Sequence, residues 1–255
     1  MSSKSAKPKS PTNAPQAPKS RRNVILAAIV AAIVAAGVVA VIAASGGGDD
    51  KKAASGGKTG PALSGVAETK AMFGGIPQNG DTIGKPDAPV TLYEFIDYQC
   101  PFCRQFRLSA YPVVVGDSVK NGKLKIISRS LTFIGPQSEK AARAAAAAGQ
   151  QDKEAAFTQL FYWNQGEENT GYVTDEFIEK LYETVGVDKV KANAFRKSTD
   201  SRAGITIART EADKYGVVST PTFVIGESGG PYEKLDVALD DSKGMKAAID
   251  SLAGG

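Results

Sequence analysis

The sequence contains no histidine. That absence removes Ser-His-Asp and Cys-His catalysis, imidazole-ligated metals and imidazole pH switching. Cysteine is nearly absent too: two among 255 residues, both in "DYQCPFCRQF", Asp97 to Phe106. Two thiolates do not complete a four-ligand Cys/His zinc site, which leaves only a carboxylate-assisted or intermolecular metal site, and a structural staple is weakly supported. Closing so short a loop removes little entropy from the unfolded chain, so a stabilising disulfide belongs farther apart. For Cys100 and Cys103 the sequence points to redox chemistry.

A surplus of charge is also missing where it would matter. The net charge is +4, but six of the 31 basic residues lie in residues 1–23 without a single acid, leaving 25 basic against 27 acidic. The bulk of the chain has no basic surplus to attract nucleic acid. The basic tail, rich in Ser and Pro, has little to bury and reads as disordered.

The chain does have one long apolar run, "VILAAIVAAIVAAGVVAVIAA", 21 uncharged residues from Val24 to Ala44. As a helix it spans a hydrocarbon core of about 30 Å. With the basic residues before it, the N-terminus is expected in the cytoplasm and the remainder outside. A cleaved signal peptide is the alternative, with "Val41-Ile42-Ala43" a tolerable cleavage sequence. The run is longer than the usual 7–15-residue apolar core of such peptides, which favours an uncleaved signal-anchor. Residues 45–75, opening "SGGGDDKKAASGGKTG", read as a flexible linker with a reach of roughly 30 Å.

One domain is expected over residues 76–255. "VTLYEFID" (Val90–Asp97) reads as a buried strand. "CRQFRLSAYPVVVGDSVKNG" reads as a helix bent near Pro112, and "KLKIISRSLTF" (Lys123–Phe133) as a second strand. From Pro136 to about Tyr215 the pattern is helical, with Thr174 as an N-cap and Gly186 as a stop. "TPTFVIG" (Thr220–Gly226) is a strand, "YEKLDVAL" a candidate hairpin partner, and "SKGMKAAIDSLAGG" a closing helix. This order predicts an α/β fold: a right-handed βαβ unit, a helical insertion, then an antiparallel pair, on one mixed sheet.

Within that frame the two cysteines have unequal tasks. Cys100 falls where a strand gives way to a helix. Unpaired N–H groups and the helix dipole there favour its thiolate. Cys103 lies one turn on, on the same face, placed to attack a mixed disulfide at Cys100. Pro101 suits the first helical position. Glu94 shares a strand face with Leu92 and Ile96, so burial is expected. A buried carboxyl has a raised pKa and could exchange a proton with Cys103. Pro221 begins an apolar strand more than a hundred residues after the cysteines.

Together, "GKPDAPVTLYEFIDYQCPFC" (Gly84–Cys103) and "GVVSTPTFVIG" (Gly216–Gly226) resemble the DsbA-like branch of the thioredoxin superfamily, over roughly residues 76–253. The resemblance implies a thioredoxin fold with a helical insertion at about 134–203, here preceded by the single transmembrane helix. It implies Cys100 as an exposed nucleophile, Cys103 as the buried resolving thiol and Glu94 at the position of the superfamily's buried acid. It also implies a cis bond at Thr220–Pro221, with the proline facing the disulfide and the adjacent backbone pairing with substrate peptide. The chain departs from strongly oxidising members in one place: they carry Pro-His between the cysteines, and here it is Pro101-Phe102. Histidine stabilises the thiolate and so the reduced form. Phe102 does not, which predicts a weaker oxidant. Phe102 is otherwise an exposed aromatic that touches substrate.

The expected protein is a membrane-anchored, single-pass enzyme with its C-terminal domain outside. It would oxidise exported cysteine-containing proteins, use no cofactor beyond its own disulfide, and be reoxidised by an unidentified membrane or extracytoplasmic redox partner. A reductase or isomerase would use the same residues, and Thr220 does not separate them. A non-catalytic binding module on the same fold is the reading from another class.

Overall fold

The computed structural model describes residues 62–254. The expected basic tail, the span over 24–44 and the linker up to residue 61 lie outside the described residues. Among the described residues no helix is long and apolar enough to cross a membrane.

The folded chain begins earlier than the expected boundary at residue 76. Helix α1 (Val66–Phe73) occupies what was expected to be the end of the linker. Its Phe73 is buried beside Ile76, Ile83 and Leu92, a contribution of about 2 kcal/mol for one large apolar side chain. The short hairpin that follows, β1 (Gln78–Asn79) and β2 (Thr82–Ile83), was not anticipated. It turns on Gly80, whose φ of 57° suits a residue without Cβ.

The sheet then builds inward. Strand β3 (Val90–Ile96) pairs in parallel with β4 (Leu124–Ser130), Glu94 opposite Ser128. On its other side β3 pairs antiparallel with β5 (Thr222–Glu227), Glu94 opposite Phe223. The three-residue β6 (Glu233–Leu235) closes that edge, shorter than the expected hairpin arm. The sheet order is β1-β2-β4-β3-β5-β6. β3 is covered on both faces, and only Tyr93 is partly open, which explains its nearly unbroken apolar run.

The single bent helix expected after the cysteines is two helices and a π-turn. α2 (Pro101–Leu108) ends at Ser109, α3 (Ala110–Val114) follows, and Val115–Val119 form a π-helical turn. Pro112 explains the break: it has no N–H to offer Leu108, four residues earlier, and its ring crowds that carbonyl. Ser109 stitches the junction by donating from Oγ to the carbonyls of Gln105 (2.7 Å) and Leu239 (3.0 Å).

The insertion comprises α4 (Pro136–Gly149), α5 (Glu154–Trp163), α6 (Asp175–Val185) and α7 (Lys189–Lys197), with a 3-10 turn at Asp200–Arg202. The alanines of α4 are buried almost all round, and their small size lets neighbouring helices approach. This helical layer packs around Cys100, Cys103 and Tyr98. Helix α8 (Ala203–Tyr215) sets Ala208 and Ala212 against Phe95, Leu131 and Val224 on the other face. Helix α9 (Ser242–Ala253) returns Met245 and Ile249 to the face shared with α2 and α3.

Candidate functional site

The strand-to-helix turn at residues 97–100 is a hydrogen-bonded unit. Asp97 Oδ1 accepts from the Gln99 N–H at 2.9 Å, a local turn of the kind aspartate favours. Its Oδ2 accepts from the backbone N–H groups of Phe133 and Ile134 at 2.8 and 3.1 Å. One buried carboxylate therefore joins the end of β3 to the loop after β4. Cys100 is the N-cap of α2 with extended backbone angles, and its N–H donates to the Asp97 carbonyl at 2.9 Å. Pro101 follows in the first turn, where a missing donor leaves nothing unpaired.

The two thiols are both free, and they differ in electrostatics more than in burial. The expected exposed nucleophile is in fact largely covered: Cys100 is 5 % exposed and Cys103 fully buried. The cover comes from the loop preceding β5, whose Thr220 carbonyl accepts from Cys100 Sγ at 3.3 Å. The Thr220–Pro221 bond in that loop is cis. The Cys100 thiol is brought down from 9.0 to about 6. The largest cause is the hydrogen bond from Cys103; burial opposes it, and the Thr220 side chain and the N–H groups of Cys103 and Phe102 add to it. Cys103 is driven the other way, well above its ordinary value, first by burial and then by its partner. Sequence reasoning placed the acidity of Cys100 in the helix terminus. The structure adds the second thiol as the main donor, a contact implied by one-turn spacing. Phe102, between them, is 60 % exposed at the surface.

Glu94 lies on the sheet face under α2 and is buried, but it is not a free acid. Arg107 grips it with two parallel bonds, Nε to Oε1 at 2.8 Å and Nη2 to Oε2 at 2.7 Å, both side chains wholly buried. Arg107 Nη2 also donates to Ser128 Oγ at 3.2 Å, and the guanidinium lies 4.1 Å from the centre of the Tyr111 ring. Burial raises the Glu94 carboxyl, and the Arg107 charge and hydrogen bonds oppose that rise. The groups that act most on Cys103 are its partner thiol, the Asp97 backbone and the Thr220 side chain. The carboxyl expected to exchange a proton with Cys103 is thus held in a buried ion pair with a residue of the active helix.

Sequence reasoning missed Arg107, Asp97, Gln99 and Gln165. Arg107 carried a weak signal: four residues after Cys103, it points to the same helix face. Gln99 Nε2 donates to Ser138 Oγ at 3.1 Å, and its Oε1 accepts from the Asn169 N–H at 2.8 Å. A shallow groove of about 440 Å³ lies beside Pro101, lined by Gln99, Arg104, Gln165 and Gly166 to Glu168. Among the described residues no cluster of three or more metal-ligating side chains occurs.

An acidic thiol and a buried basic one, under a cis-prolyl loop at the end of a mixed sheet, are what thiol–disulfide exchange requires. The fold and site thus define a thiol–disulfide oxidoreductase. Comparison with known proteins agrees. A family model described as Thioredoxin matches residues 78–250, and the chain belongs to that family. The probable disulfide bond formation protein D of Bacillus cereus is 29% identical over 174 residues, covering 66% of this chain and 76% of that one. Among solved structures, oxidised BdbD from Bacillus subtilis superposes with a TM-score of 0.59 at 23% identity, covering 71% of this chain and 98% of that one. Wolbachia pipientis alpha-DsbA1 gives 0.59 at 18% identity, covering 72% and 96%. These two structures establish the DsbA-like form of the fold.

Proposed function

We propose that the protein is a membrane-tethered, extracytoplasmic enzyme that introduces disulfides into exported proteins through the Cys100–Cys103 pair. The observation that carries the direction is the thiolate of Cys100, held near 6. A stabilised thiolate stabilises the reduced enzyme, so the disulfide is the more willing oxidant. The tether rests on the Val24–Ala44 run and its basic flank. The setting outside the cytoplasm is supported by the names of the relatives, disulfide bond formation proteins.

In the forward reaction a substrate thiolate attacks Cys100 Sγ of the oxidised pair. The Cys100–Cys103 bond breaks, and Cys103 leaves with the electron pair and takes up a proton, as its high pKa demands. A second substrate thiolate then attacks the substrate sulfur of the mixed disulfide and releases Cys100. Two electrons pass from substrate to enzyme. Cys103 keeps one proton, and Cys100 stays ionised above about pH 6. The cis-prolyl loop at Thr220 lines the edge where substrate backbone lies. An external oxidant, a membrane or extracytoplasmic redox partner, restores the disulfide, and no cofactor is needed.

The test is a trap. Cys103→Ser is expected to accumulate mixed disulfides with exported proteins, and Cys100→Ser to yield none and to lose all exchange activity. Binding and phenotype that survive Cys100→Ser would sink the enzymatic reading.

A further inference from the structure

We propose that Gln165, on the loop after α5, is a positioning residue: its carboxamide holds the two carbonyls flanking Gln99 so that the Cys100 sulfur meets the N-terminus of α2. The proposal rests on the redox reading above.

Gln165 Nε2 donates to the Tyr98 carbonyl at 2.8 Å and to the Cys100 carbonyl at 3.1 Å. A carboxamide nitrogen carries two protons, and both are used here. The Cys100 carbonyl also accepts the first bond of α2, from the Arg104 N–H at 3.2 Å. It is therefore held from two directions, which fixes the backbone angles of the N-cap. The N–H groups of Phe102 and Cys103, which lower the Cys100 thiol, belong to this same first turn. Two physical effects follow. The cap geometry is locked, and two carbonyl dipoles whose negative ends lie in the active turn are partly neutralised by donors.

Gln165 does not act from a loose loop. Asn164 Nδ2 donates to the carbonyls of Leu160 (2.8 Å) and Ser64 (3.0 Å), anchoring the loop's start. The Asn169 N–H bond to Gln99 Oε1 closes its far side. The cis-prolyl loop thus meets Cys100 from one direction, and the insertion supports the carbonyl side of the same turn from another. In this arrangement the insertion contributes directly to the reactive centre.

The experiment uses Gln165→Met, which keeps the length and loses both donors, and Gln165→Glu, which adds a negative charge. Thiolate absorbance at 240 nm and the alkylation rate of Cys100 are read against pH, together with the redox equilibrium against glutathione and a thermal melt. The expected result is a higher Cys100 midpoint in both variants, by roughly one pH unit for Glu and less for Met. The glutathione equilibrium should move toward the oxidised protein by up to about tenfold. Wild-type midpoint and equilibrium in both variants, with or without a lower melting temperature, make Gln165 a loop anchor only and overturn the proposal. Loss of folding in one variant leaves the other to decide. For a variant that does not fold alone, the titration is run on the chain refolded with osmolyte, with the same two outcomes. A wild-type Cys100 that fails to titrate below pH 8 strikes the redox reading instead, so the two failures are distinct.

Discussion

Cys100 and Cys103 are neighbours in one helical turn, yet their acidities are pushed in opposite directions. The separation has two causes: burial lifts Cys103 most, and the hydrogen bond it donates to Cys100 lowers one thiol while raising the other. The reduced enzyme should therefore show a thiolate absorbance step centred near pH 6. Cys103→Ala should move that step upward, since it removes the largest support, while the remaining backbone donors keep it below the ordinary thiol value. An unmoved midpoint would place the acidity in the helix terminus alone. Phe102 contributes no charge, and at 60 % exposure it leaves room for an exchange. Phe102→His is expected to add a cation beside the thiolate and make the disulfide more oxidising against glutathione. An unchanged or more reducing equilibrium counts against the role given to the dipeptide. At this scale the cysteines, Pro101 and Thr220-Pro221 were legible because each leaves a local mark: a spacing, a cap, a Pro at a strand start. Gln165 left none, since its partners lie 65 and 67 residues away and a glutamine between helices has no pattern.

Between elements, the contact that matters most is Glu94 on β3 with Arg107 on α2. It bolts the active helix to the central strand, under Cys103. Both groups are fully buried, so removing one partner leaves an uncompensated charge. Glu94→Gln should cost about 3–5 kcal/mol in urea unfolding, whereas replacing both with apolar residues of similar size should be close to neutral. The double variant also tests the proton-exchange role of Glu94. If the pair is structural, the double variant keeps its insulin-reduction rate, while a proton carrier at Glu94 would make that rate fall. The burial of Glu94 was legible from alternation along β3. Its partner was not, because alternation says which face a residue occupies and nothing about what meets it there. Helix α1 was missed for a similar reason. "VAETKAMF" follows a Gly/Ser-rich stretch and is too short to stand alone. It is helical because Phe73 finds the core.

Across the whole domain, two displaced groups that titrate near neutrality work against each other in pH. Glu154 opens α5 and is buried beside a cavity of about 400 Å³ lined by Asn79, Ser128 and Ser201. Burial and the charge of Asp81 lift its carboxyl from 4.5 to about 8, against the pull of Arg129 and Arg107. Its folded pKa is raised, so its contribution is complete below the unfolded value and is lost as pH climbs to about 8. Cys100 has the opposite sign. Its folded pKa is depressed, so its contribution is complete above the unfolded value and is lost as pH falls through about 6. Each slope is at most about 1.4 kcal/mol per pH unit. Between pH 6 and 8 the two cancel in the reduced protein. Oxidation removes the titrating thiol of Cys100 and leaves the raised carboxyls, Glu154 and Glu94, unopposed. Urea midpoints should therefore fall more steeply with pH across this window for the oxidised form than for the reduced form. In Glu154→Gln both profiles should tilt upward while the difference between them persists. Parallel profiles in the two redox states would contradict the thiolate stabilisation on which the oxidising direction depends. The widening gap is the free energy of the Cys100 thiolate, so measured against glutathione, whose thiols stay protonated here, the disulfide should become a stronger oxidant as pH rises through this range.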